Sequence, residues 1–258
     1  MPRIDSYVAL GDSFTEGVGD ADLASANGVK GWADRVAEQL AATNPEFRYA
    51  NLAVRGKLVD QVIENQVGIA VDAAPDLVTI YAGGNDLMRP KVDIDGVVAR
   101  YDSALADLVA TGARVVAFTG YDAGWAPLFR TLRGRTAIYN ELLREVADRR
   151  GVELVDFWRL DGYDDIRMWD TDRLHMSTRG HIRMASEVLN HLGVPHSIEL
   201  EPLEPLAPIA AAAKRRENAE WVKSFAAPWV SRRLRGASSG DDVAPKHTML
   251  LRSQLQQN

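Results

Sequence analysis

The stretch Tyr7-Val8-Ala9-Leu10-Gly11-Asp12-Ser13-Phe14-Thr15-Glu16-Gly17 changes character at Gly11. A short apolar run ends there and turn-forming residues follow, which predicts a buried strand whose carboxyl end opens into a turn. In open α/β sheets ligands bind beyond the carboxyl ends of the strands, so Ser13 falls where chemistry is usually done. A hydroxyl in that position becomes a nucleophile when a base is brought to it. The competing reading is structural: Asp and Ser are favoured caps, and Ser13 can simply start the next helix. The stretch alone leaves both open.

Outward from it, strand and helix patterns alternate from Ser6 to about Leu192. Apolar residues at Trp32, Val36, Ala37 and Leu40 predict a helix from Gly31 to Thr43. A strand is predicted from Phe47 to Ala53, and a helix from Lys57 to Ala74, broken before Pro75. Asp76 to Ala82 is the clearest buried strand. Further helices are expected from Ile94 to Thr111, from Arg133 to Arg150 and from Thr178 to Leu192, each closed by a glycine. The intervening strands run from Arg114 to Thr119 and from Val152 to Phe157. This alternation argues for a parallel sheet with helices on both faces. Two connections are long, Gly17 to Lys30 and Gly120 to Leu132. The second holds Tyr121, Trp125, Pro127, Leu128 and Phe129, and reads equally as a pocket wall or as aromatic cover for a helix end.

The 258 residues are 46% hydrophobic and 26% charged, ordinary for a soluble globular chain and enough for a full core in one or two domains. A net charge of −6 argues against a general attraction to nucleic acid or anionic membranes. The absence of cysteine excludes disulfides, thiolate catalysis and Cys-ligated zinc. Met1-Pro2-Arg3-Ile4-Asp5 leads almost directly into the first strand without an apolar leader core, and no run is long enough to span a membrane. A cytoplasmic location is expected, ahead of a secreted form whose leader has been removed.

Beyond Pro195 the character changes. Glu199 to Pro208 is acidic and Pro-rich and reads as a strap. Ile209 to Arg235 suits one or two helices carrying Trp221, Phe225, Trp229 and the basic run Arg232-Arg233-Leu234-Arg235. Gly236 to Asn258 reads as poorly structured. Basic residues beside tryptophans suit a membrane surface or an acidic partner. A helix folded back on the domain is favoured over that, because Glu217, Glu220 and the strap dilute the charge. Oligomeric state is left open.

A serine nucleophile needs a base and a group that holds the base in the right tautomer. His175 stands in Asp172-Arg173-Leu174-His175, where one tight turn can carry both side chains. Alone, that spacing also describes a capping loop with a surface histidine. His181, on the last helix, is expected to pack or cap. Gly83-Gly84-Asn85-Asp86 follows one strand, and Asn85 can offer its amide to an oxyanion. Gly56 follows another, with an unobstructed N–H. These groups follow successive strands and fall on one sheet edge.

Gly11-Asp12-Ser13-Phe14, Gly56, Asn85 within Gly84-x-Asp86, and Asp172-x-x-His175 together resemble the SGNH (GDSL) hydrolase superfamily, in its block order, over roughly Ser6 to Leu192. The resemblance implies a flavodoxin-like α/β/α sandwich with five parallel strands. It makes Ser13 the nucleophile, His175 the general base and Asp172 its orienter. The oxyanion donors are the N–H groups of Ser13 and Gly56 and the Asn85 side chain. No metal or organic cofactor is required, and the expected partner is a small-molecule ester. Phe14 stands where many members have Leu. On this basis residues 1–195 form the hydrolase domain. Residues 196–258 form a C-terminal extension of strap, basic Trp-containing helix and flexible tail, without counterpart in the family's core motifs. The expected reaction is ester hydrolysis through an acyl-enzyme. Acyl transfer to an alcohol by the same residues, and a non-catalytic binding module of the same fold, are the alternatives. Trp125, Phe129, Trp169 and Met176 are expected to line an apolar acyl pocket for short to medium chains. The family acts on lipids, acetylated sugars, aryl esters and thioesters alike. Asp170 is a rival to Asp172 for the orienting carboxylate, and Asp12 is read as a turn residue.

Overall fold

Side chains along β1 (Ser6–Gly11) alternate between two cores. Tyr7 and Ala9 join one, Val8 and Leu10 the other, and the strand is buried throughout. Such a strand needs cover on both faces, and that requirement organises the rest. The computed structural model describes residues 3–126, 129–207, 209–228 and 240–252.

Strands β2 (Arg48–Asn51) and β3 (Leu77–Tyr81) flank β1, and β4 (Arg114–Phe118) and β5 (Glu153–Val155) extend the sheet beyond β3, all parallel. Ala9 sits opposite Asn51 on one side and Thr79 on the other. A sixth strand, β6 (Leu251–Arg252), pairs antiparallel with β2, giving the order β5-β4-β3-β1-β2-β6. The expected five parallel strands are therefore joined by an antiparallel edge strand. The β5 ladder is shorter than expected, because the chain turns at Phe157–Arg159.

The helices are α1 (Ser13–Glu16), α2 (Gly31–Ala41), α3 (Val59–Val62), α4 (Gly68–Ala73), α5 (Gly84–Leu87), α6 (Ile94–Ala110), α7 (Arg133–Arg150), α8 (Thr178–Leu192) and α9 (Ala211–Trp221). A π-helical turn, Ile63–Val67, joins α3 to α4. On one face α2 packs on α8, and on the other α6 packs on α7. The caps follow the sequence: Ser177 caps the start of α8 with its hydroxyl, and Gly193 ends it in the left-handed region. The strand order reverses between β1 and β3, which opens the crevice that Ser13 and Asn85 enter from the two strand ends.

Part of the stretch expected to be a structureless tail carries structure. Lys246, whose side chain is only 2% exposed, donates from Nζ to Asp34 Oδ2 (2.5 Å) and to the Lys30 carbonyl (2.8 Å). His247 N–H donates to the Asn51 carbonyl (3.2 Å), and Asn51 N–H donates to His247 Nδ1 (3.0 Å). These partners lie about two hundred positions away, out of reach of any local pattern. Pro127, Leu128, Trp229 and the basic run Arg232-Arg233-Leu234-Arg235 lie outside the described residues, as do residues 236–239 and 253–258. No helix among the described residues is long and apolar enough to cross a membrane.

His181 packs, as expected. It is fully buried, its Nδ1 accepts from Trp32 N–H (3.2 Å) and its Nε2–H donates to the Val18 carbonyl (3.1 Å). Acceptance at Nδ1 requires the neutral ring, and burial pushes its pKa down to about 4. The unfolded ring titrates near 6.5, so on acidification the unfolded state takes up this proton first. The stabilising contribution is complete above about pH 6.5 and is lost as pH falls towards 4. With about 1.4 kcal/mol per unit, about 3 kcal/mol is at stake. Urea unfolding across this range is expected to show that slope, and His181→Gln, less stable overall, is expected to lack it.

Candidate active site

The turn after β1 is held from both sides. Gly11 has φ +140°, and a Cβ there would lie 2.3 Å from the Tyr81 carbonyl oxygen, so no other residue fits. The Gln66 amide, on the π-helical turn, grips Gly11 twice: Gly11 N–H donates to Oε1 (2.8 Å), and Nε2 donates to the Gly11 carbonyl (2.9 Å). π turns of this kind recur at functional sites. Asp12 then caps α1, its Oδ1 accepting from Phe14 N–H (3.1 Å). The cap is therefore Asp12 and not Ser13, which stands at the first helical position and faces His175.

The opposing turn is a short loop closed by an antiparallel bridge between Trp169 and Met176. Asp170 N–H donates to the His175 carbonyl (2.8 Å), and Ser177 N–H to the Met168 carbonyl (2.9 Å). At its tip Asp172 Oδ1 accepts from the N–H groups of Leu174 and His175, both at 2.9 Å. Its Oδ2 lies 2.5 Å from His175 Nδ1, and His175 Nε2 lies 3.1 Å from Ser13 Oγ. Burial pushes the Asp172 carboxyl up, but the His175 ring and the two N–H groups outweigh it, and the group sits below the ordinary carboxylate range. An ionised Asp172 keeps the ring proton on Nδ1 and leaves the Nε2 lone pair towards the serine hydroxyl. Between these two residues Arg173 takes a left-handed backbone, φ +56°.

Two further interactions escaped the sequence reading. Asn85 Nδ2 donates to Asp12 Oδ2 (2.9 Å) and to the Lys57 carbonyl (3.0 Å), which sets the amide plane. Burial raises the Asp12 carboxyl to about 7, although the Phe14 N–H and the Asn85 amide both favour its ionised form. Glu16, fully buried on α1, accepts from Arg55 N–H (2.6 Å) and pairs with the Arg55 guanidinium (2.6 Å), fixing the loop that presents Gly56. Glu16 lies three residues after Ser13, but nothing local marks Arg55 as its partner.

Ser13, Gly56, Asn85, Asp172 and His175 all line one cavity of about 380 Å³. The N–H groups of Ser13 and Gly56 have no acceptor among the described residues. Of the expected pocket residues, Phe129, Trp169 and Met176 line this cavity. Trp125 does not. It packs against Trp169, ring centroids 5.6 Å apart, and lines a neighbouring hollow with Trp158 and Arg133. The long aromatic connection is thus pocket wall at Phe129 and backing at Trp125. Trp221 and Phe225, from the C-terminal segment, line the cavity without having been expected there. Among the described residues no group of three or more His, Asp and Glu side chains is arranged to hold a metal ion.

The family model described as GDSL-like Lipase/Acylhydrolase matches residues 9–183, from β1 into α8. The chain belongs to this family. It is a GDSL-type hydrolase. No curated protein matches it in sequence. Solved structures share the fold. The acetylxylan esterase Axe2 from Geobacillus stearothermophilus is 20% identical, with a TM-score of 0.60 over 75% of this chain and 98% of its own. LAE5, described as an alpha/beta hydrolase enzyme from the metagenome of Lake Arreo, Spain, is 26% identical, with a TM-score of 0.57 over 75% of this chain and 97% of its own. The psychrotrophic esterase EstA from Pseudoalteromonas sp. is 15% identical, with a TM-score of 0.57 over 73% of this chain and 97% of its own. About a quarter of this GDSL-type hydrolase thus lies outside each alignment, and the family match ends before the strap, α9 and β6 begin.

Proposed function

We propose that the protein hydrolyses carboxylic esters of small molecules through a Ser13 acyl-enzyme, with acetyl or short to medium acyl groups. The observation that carries this is the unbroken relay from Asp172 through His175 to Ser13 Oγ, opening into the cavity. Ser13 Oγ attacks the ester carbonyl while His175 Nε2 takes its proton. The negative charge moves to the carbonyl oxygen, where the N–H groups of Ser13 and Gly56 would receive it, joined by the Asn85 amide once one of its two hydrogens turns from Asp12 Oδ2 or the Lys57 carbonyl. As the tetrahedral adduct collapses, the imidazolium returns its proton to the departing alcohol oxygen. Water then repeats the sequence: it loses a proton to His175, releases the carboxylic acid and regenerates Ser13. The side chains that line the cavity beyond the serine are largely apolar, including Leu87, Leu132 and Leu174. Such a wall favours acyl methylenes, at about 0.8 kcal/mol for each one fully buried. The assignment also makes residues 1–195 the reaction-bearing domain and 196–258 an extension of it.

A fluorophosphonate probe tests the reading, since it reacts with an activated serine and leaves a stable adduct. One equivalent is expected on Ser13 of the wild type, located by peptide mass spectrometry, and none on Ser13→Ala. Equal labelling of both proteins would refute it.

A further inference from the structure

We infer that the C-terminal segment around α9 is a specificity element of this site, with Trp221 and Phe225 forming the wall against which a medium-length apolar acyl chain lies. The inference rests on the ester-hydrolase reading for its substrate and on the following contacts for its geometry.

Helix α9 buries no residue along its length, so no apolar stripe seats it on the fold. Its attachments gather at its C-terminal end. The Trp221 ring meets Phe129 edge-on at 6.3 Å and packs on the small cluster of Ala123, Ala126 and Phe129. The Arg173 guanidinium lies over the Trp221 ring, 5.1 Å from its centre, and Arg173 Nη1 donates to Asn218 Oδ1 (2.6 Å). Arg173 sits between Asp172 and His175. The segment is therefore fastened to the same turn that presents those two side chains.

Fastened there, it contributes to the cavity. Trp221, Ser224, Phe225 and Pro228 line it, and none is charged. The ionisable residues that line the cavity, Asp12, Asp170, Asp172 and His175, all come from the two turns that carry Ser13 and His175. An occupant reacting at Ser13 thus meets polar groups at its carbonyl and apolar surface beyond it. Phe225 is still 39% exposed, an apolar side chain at the cavity that a bound chain would cover. A linear acyl chain running from the serine along the cavity to Trp221 and Phe225 matches that pattern.

Two readouts test this. The first is the ratio of kcat/KM for p-nitrophenyl octanoate to that for p-nitrophenyl acetate. It is expected to fall about tenfold or more in both Trp221→Ala and Phe225→Ala, the scale of lost methylene contacts in an apolar pocket. Trp221→Phe is expected to recover most of the ratio. Phe225 takes no part in the Arg173 attachment, so its variant keeps α9 in place. The second readout needs no turnover: decanoate binding to Ser13→Ala by calorimetry, expected to weaken about tenfold or more when Phe225→Ala is added. Parallel changes in the two esters, together with unaltered decanoate affinity, would overturn the inference and leave the hydrolase intact. A wild type that turns over neither ester, yet binds decanoate in a Phe225-dependent way, would overturn the hydrolase reading and leave this one standing.

Discussion

Ser13→Ala is expected to turn over p-nitrophenyl acetate about 10⁴–10⁶-fold more slowly than wild type. The reason is specific to the site. With Oγ removed, the His175 Nε2 lone pair, 3.1 Å away, has no hydroxyl to deprotonate. Water can occupy the vacated space, but it is neither held by the chain nor aligned with the carbonyl. What survives is the binding and polarisation that the remaining donors provide. His175→Ala should cost a similar factor, and the double variant little more than either alone, because the two side chains act as one unit. Unfolding midpoints should barely move, since Ser13 is half-buried and its side chain anchors no core. Steady-state kinetics on the three variants checks this. A Ser13→Ala enzyme as fast as wild type would exclude an acyl-enzyme at this residue.

Asp172→Asn is expected to lose about 10⁴-fold in kcat, by analogy with other triads, while Asp170→Asn stays close to wild type. The two carboxylates are only two positions apart, and both line the cavity. Only Asp172 touches the ring, at 2.5 Å. Asparagine at 172 can still accept the N–H groups of Leu174 and His175 with its Oδ1, so the loop keeps its shape. Its amide would then present hydrogens to Nδ1, driving the ring proton to Nε2 and setting a donor against the serine hydroxyl. Asp170 contributes its backbone, through the bond from its N–H to the His175 carbonyl, and that bond is indifferent to the side chain. Equal losses in the two variants would remove Asp172 from its assigned role.

Legibility in the sequence followed distance along the chain. The bounds of α7 and α8 could be read closely because both end at glycines and carry periodic apolar positions. The meeting of Ser13 with His175 could be anticipated because each sits in a short motif whose spacing is local. The Glu16–Arg55 pair, the hold of Asp12 on Asn85 and the twofold grip of Gln66 on Gly11 could not. They join residues 39, 73 and 55 positions apart, and no periodicity links their ends. Trp125 was misplaced for a related reason: an aromatic residue in a loop gives no hint of which side of Trp169 it takes. β6 is two residues long, too short to leave a pattern, and the contacts next to it, Lys246 with Asp34 and His247 with Asn51, join residues about two hundred positions apart.

That last strand has a consequence for how the molecule behaves among its own copies. A border strand left bare offers unpaired peptide groups to any neighbouring chain, a common beginning of aggregation. Here β6 lies along part of the outer side of β2, with Arg252 paired to Glu46 at the rim. Leu251 and Arg252 thus screen one margin of the sheet from neighbouring chains.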